Sequence, residues 1–161
     1  QFANGVALAS DETWVVVAET SVRRLQRVFV AGPRAGESEV YVESVPGFPD
    51  NIARGSDGLV WVTLASPPDP LVERLQRGPL WLRSQVTRLP ERLQPAPRRT
   101  IRVQAYDDDG HLVHDVALTA PADTGRFHMP TGVREHDGRV WMGSLHEDAV
   151  AVVDLGTPRS A

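Results

Sequence analysis

Asn4, Asp50 and Asn51 are the side chains of this 161-residue sequence whose types and spacing point most directly to chemistry. Asn4 lies in Phe2-Ala3-Asn4-Gly5-Val6, and the pair lies in Phe48-Pro49-Asp50-Asn51-Ile52, 46 residues further on. One carboxylate and two amide oxygens brought to one spot make a hard, oxygen-rich donor set, which suits Ca²⁺ better than a soft transition metal. The same residue types are ordinary in turns, so spacing alone leaves a second reading open, in which both segments are turns without a ligand. His128 is the next candidate, as a residue lining a substrate site. His128 would contact substrate or assist proton transfer; its alternative is a loop histidine with local hydrogen bonds.

Residues so far apart converge only if the architecture repeats, and the sequence does repeat. The stretch Phe48 to Val62 is a short strand, an Asp-Gly turn and a second strand. It has an echo at Phe2–Val17 and another at Met129–Met142. Asp11 and Asp57 are again 46 residues apart, and Trp61 and Trp141 are 80 apart. Strand-and-turn repeats of roughly 40–50 residues are the signature of propeller blades, and the longer interval implies an insertion of roughly 35 residues in one of them. The reading is an all-β chain of about three blades (2–47, 48–120 and 128–155) with a helical insertion at 67–99. In a propeller the innermost strands line a central channel, so equivalent points of successive blades face one axis. Closure takes about four to eight blades. On this reading the chain is the C-terminal half of a larger β-propeller, completed by missing N-terminal blades or by a second copy.

The insertion is chemically distinct. From Pro67 to Arg99 seven arginines face three acids, a net of +4, whereas the remainder carries −8. Leu71, Val72 and Leu75, then Leu82, Val86, Leu89 and Leu93, recur at helical spacing on either side of Gly78-Pro79. Leu80, Trp81, Leu82 and Val86 fit a lid over the channel mouth, a cap on their own blade, or a basic amphipathic surface at 71–93 resting peripherally on an anionic membrane.

Composition excludes several classes. There is no cysteine, hence no disulfide, thiolate metal site or cysteine nucleophile. A net charge of −4 argues against nucleic acid as a partner. No Gly-x-Ser-x-Gly elbow or phosphate-binding glycine loop is present. Asp107-Asp108-Asp109-Gly110 lacks the later bidentate glutamate of a calcium loop, since residue 118 is Leu, and reads as a hairpin turn. His111 and His114 read as solvent-facing, His136 as structural, and His146 as a strand-end residue facing the channel.

The motifs also carry a resemblance. Phe-Ala-Asn-Gly-Val at 2–6, Val-Val-Val-Ala-Glu-Thr at 15–20, Pro-Gly-Phe-Pro-Asp-Asn-Ile at 46–52, Arg-Glu-His-Asp-Gly at 134–138 and Met-Gly-Ser-Leu at 142–145 resemble the strictosidine synthase-like proteins. That group stands with the paraoxonases and the senescence marker protein/gluconolactonase family. Pro-Leu-Trp-Leu at 79–82 is similar to the adipocyte plasma membrane-associated protein branch. The resemblance implies a six-bladed propeller with a central divalent metal, usually Ca²⁺, and places Asn4, Asp50 and Asn51 on its ligands. It implies a hydrolase of lactones or aryl esters, with a small-molecule ester or lactone as substrate. The alternatives are a non-catalytic, metal-stabilised binding platform and a strictosidine synthase-type condensing lyase. The position matching the lyase's glutamate is Thr131, which by the resemblance lines the site with His128 but cannot replace a carboxylate as an acid or base near neutral pH.

Overall fold

Alternating and continuous apolar runs, separated by Asp-Gly turns, fold into three antiparallel sheets in a computed structural model that describes residues 2–68 and 99–156. The helices expected within 67–99, with the lid and membrane surfaces read there, fall almost wholly outside the described residues. The first sheet is a meander of β1 (Ala3–Leu8), β2 (Trp14–Glu19), β3 (Arg24–Phe29) and β4 (Ser38–Val42). The second runs β5 (Pro49–Arg54), β6 (Val60–Leu64), β7 (Ile101–Tyr106) and β8 (Leu112–Leu118). A single helical turn, α1 (Pro121–Thr124), leads to the third sheet of β9 (Pro130–His136), β10 (Arg139–Ser144) and β11 (Val150–Asp154). The first strands β1, β5 and β9 pack in succession against one another, so the sheets splay from a common inner edge. Among the described residues no helix is long and apolar enough to cross a membrane.

The second sheet explains why one strand is apolar throughout. Every residue of β6 is buried. Val60, Val62 and Leu64 join Trp14, Val16, Leu25 and Tyr41 in the core between the first and second sheets. Trp61 turns the other way and packs with Val103, Phe127, Val140 and Met142 between the second and third. A strand covered on both faces has no solvent side to keep polar. Each large side chain fully buried this way contributes about 1.5–3 kcal/mol.

Between β2 and β3 a 3-10 turn at Thr20–Val22 ends with Arg23 at φ 56°, and β3 starts at Arg24. The Arg27 guanidinium lies 4.5 Å from the Trp14 ring centre and 4.9 Å from that of Tyr41. It acts there as a flat cover on the core edge. The Asp137-Gly138 pair, at φ 50° and 72°, forms the two-residue turn between the register partners His136 and Arg139.

Candidate metal centre and an adjoining histidine

Each inner strand carries one extra residue at the same height. Ala3 pairs with Glu19 and Val6 with Val17, leaving Asn4 and Gly5 opposite a single residue of β2. Pro49 pairs with Leu64 and Ile52 with Val62, so Asp50 and Asn51 together oppose Thr63. In β9, Pro130 pairs with Ser144 and Gly132 with Gly143, which makes Thr131 the extra residue. These are β-bulges, which bend a strand and re-aim its side chains. Three of them in register put Asn4, Asp50, Asn51 and Thr131 at one end of the inner edge. The turn reading of Asn4-Gly5 and Pro49-Asp50-Asn51 is therefore corrected: these residues lie within strands, and their turn-like chemistry serves a bulge.

Gly5 allows the strands to meet. A Cβ there would lie 2.5 Å from the Ile52 nitrogen and 2.7 Å from the Asp50 carbonyl oxygen. With no side chain in the way, the Asn4 Nδ2 donates to Asp50 Oδ1 at 2.5 Å across the two sheets. Hydroxyls fix the same level. Thr20 Oγ1 donates to the Pro49 carbonyl at 2.7 Å. The buried Thr63 Oγ1 lies 2.8 Å from the Thr131 carbonyl and 3.1 Å from that of Asn51, tying β5 to β9.

The electrostatics of Asp50 fit a cation. Burial pushes its carboxyl above the ordinary 3.8, and the amide of Asn4 only partly offsets this. Among the described residues no arginine or histidine pairs with it. A half-buried carboxylate beside two amides, with no cationic partner, is the donor set that a hard divalent ion satisfies. Asn4 and Asn51 are exposed and free to turn their amide oxygens toward an ion. Asp107, Asp109 and His111 also come close enough to share an ion, within 4.8 Å. They sit on the β7–β8 hairpin, where Asp107 Oδ1 accepts from the Asp109 and His111 amides and so closes the turn.

His128 precedes β9 at the same end as Asp50. It is buried, its Nδ1 lies 2.7 Å from Glu147 Oε1, and its ring stacks on His146 at 5.3 Å. Glu147, which the sequence reading passed over, also accepts from Arg99 Nη2 at 3.0 Å. Its one visible signal was its place just after the Met-Gly-Ser-Leu motif. His146 is exposed. His114 departs from its solvent-facing expectation and stacks on the buried Trp61 at 5.4 Å. His136 is exposed beside Asp137. Glu135 was quoted only within a motif, yet it is buried and joins two blades. It accepts from Ser56 Oγ and the Asp57 and Gly138 amides at 3.0, 3.1 and 2.9 Å.

No protein-family model matches the chain. Protein strictosidine synthase-like 10 from Arabidopsis thaliana is 37% identical over 162 residues, covering 96% of this chain and 41% of the relative. Human adipocyte plasma membrane-associated protein is 31% identical over 164 residues, covering 96% and 38%. The chain thus spans about two-fifths of the length of these curated relatives. Among solved structures, a calcium-binding regucalcin from Agrobacterium tumefaciens superposes with a TM-score of 0.55 at 16% identity, over 91% of this chain and 39% of that one. A gluconolactonase from Xanthomonas campestris gives 0.53 at 13%, over 88% and 34%. By sequence the chain is similar, over nearly all of its length, to part of the strictosidine synthase-like and adipocyte plasma membrane-associated proteins, and its three sheets are blades of the β-propeller fold that regucalcin and gluconolactonase share.

Proposed function

We propose that this chain supplies the metal-holding part of a calcium-dependent hydrolase acting on lactones or aryl esters. The observation that carries the reading is Asp50: a half-buried carboxylate without a cationic partner among the described residues, on a bulged inner strand beside Asn4 and Asn51. Asn4, Asp50 and Asn51 would hold the ion, and Ca²⁺ bound there would supply Lewis acidity toward a substrate carbonyl oxygen. His128 and Thr131 line the substrate side of the same end. A condensing-lyase chemistry of the strictosidine synthase type lacks its carboxylate, because Thr131 occupies that position.

The exposed faces of the two terminal sheets support closure by further blades. Phe2, Val6 and Leu8 project from the first sheet, and Trp141, Val150 and Val152 from the third. Such rows are where neighbouring propeller sheets pack.

The test compares the parent protein with Asp50→Ala for Ca²⁺ binding by calorimetry and for hydrolysis of a panel of aryl esters and lactones. Loss of both in the variant is expected. Retention of both removes the reading, and metal binding without any hydrolysis by the parent replaces it with a binding platform.

A further inference from the structure

We infer that His128 is the general base of this site and that Glu147 is its positioning residue, the two forming a carboxylate–imidazole dyad. The inference rests on the hydrolase reading above for the substrate, and on separate geometry for the dyad.

The backbone around His128 is held by more contacts than a loop histidine needs. Met129 follows it at φ 48°, in the left-handed region and away from the extended one that a residue before proline prefers. Such a kink persists only where its surroundings fix it, and here both of its polar groups are tied. The Met129 amide donates to the Thr100 carbonyl at 3.2 Å, and its carbonyl accepts from the Leu145 amide at 3.3 Å. Ser144 then secures both members of the dyad. Its hydroxyl donates to the His128 carbonyl at 2.7 Å and accepts from the His146 and Glu147 amides at 3.0 and 3.1 Å.

The side-chain geometry gives the imidazole a direction. Glu147 Oε1 is an acceptor 2.7 Å from Nδ1, so the neutral ring carries its proton on Nδ1 and keeps the Nε2 lone pair. Arg99 holds the same carboxylate oxygen from the other side, and His146 covers one ring face. Nε2 has no protein partner among the described residues. Three residues of chain span at most about 11 Å, so His128 lies within that reach of Thr131 and its bulge.

In the reaction, Nε2 takes a proton from water as the hydroxyl oxygen bonds to the substrate acyl carbon. The Nδ1 proton stays on the ring, hydrogen-bonded to Glu147. As the acyl–oxygen bond breaks, the Nε2 proton passes to the departing alkoxide, giving an acid and an alcohol. Among the described residues, Glu147 and His146 contact this ring, and Arg99 contacts Glu147 behind it.

The test reads the tautomer directly, by two-bond nitrogen–proton correlation NMR on nitrogen-labelled protein. In the parent the expected neutral form of His128 is protonated at Nδ1. Glu147→Gln retains an acceptor oxygen and keeps it, whereas Glu147→Leu moves the proton to Nε2. A parent protonated at Nε2, or a tautomer unmoved by Glu147→Leu in a folded variant, overturns the dyad, and the parent spectrum alone decides should that variant not fold. With an aryl ester, His128→Gln and Glu147→Leu are expected to lower kcat roughly 100-fold with KM little changed. Unchanged kcat in His128→Gln overturns the base role. A parent that hydrolyses no ester overturns the hydrolase reading and the base role with it, while the tautomer still decides the dyad.

Discussion

Asn4 donates a hydrogen bond to Asp50 across the junction of two sheets, joining residues 46 apart in the sequence at 2.5 Å. The contact fixes where the only carboxylate of the proposed metal set points, and it does so without neutralising that charge.

This arrangement sets stability against binding at Asp50. Burial raises its carboxyl pKa in the folded state, so the fold binds that proton more tightly than the unfolded chain does. Stability then falls as pH rises through the raised value, and the ionised group opposes folding at neutral pH. Asp50→Asn is expected to raise Tm in chelator by roughly 1–3 °C. It should also abolish the calcium response, which in the parent reaches about 2.7 kcal/mol at 100-fold Kd. Thermal melts in chelator and in excess Ca²⁺ check both halves.

Glu135 behaves in the opposite sense. Burial raises its carboxyl, but the Gly138 and Asp57 amides and the Ser56 hydroxyl outweigh this and hold it below the ordinary 4.5. Its contribution is complete above the unfolded value and is lost as pH falls through the lower, folded one. Melts from pH 7 to pH 3 should show the parent losing stability below about pH 4.5 more steeply than Glu135→Gln. Glu135→Ala, which strands buried donors, should cost about 3 kcal/mol in denaturant titration at neutral pH.

Gly5→Ala drives a methyl group against the backbone of β5 at Ile52 and Asp50. Backbone cannot step aside as a side-chain tip can. A loss of about 3 kcal/mol is expected, seen as a fall in Tm of roughly 6 °C or more. A Tm within 1 °C of the parent, on the scale of about 2–4 °C per kcal/mol, would mean that β1 and β5 do not approach this closely.

Thr63→Val keeps the shape and removes the hydroxyl shared by the Asn51 and Thr131 carbonyls. Stability should fall by about 1–2 kcal/mol. Calcium affinity should fall with it, because the bulges of β5 and β9 lose their common tie. Calorimetry at fixed pH measures the second effect independently of the first.

The sequence by itself determined the repeat, and through it the metal candidates. A 46-residue spacing with Asp-Gly turns recorded the sheets, because strand length and turn chemistry are local. The apolar run Leu59–Leu64 marked a strand for the same reason, but only the fold decided that both faces of Val60–Leu64 are buried. Only the tertiary structure decided that Asn4-Gly5 and Asp50-Asn51 are bulges and not turns. The two share residue types, and the difference lies in the pairing partner, which is remote. Glu135 and Glu147 were illegible on the same ground. A glutamate in a strand or after one looks solvated until the donors that surround it, from segments up to 79 residues away, are brought together by the fold.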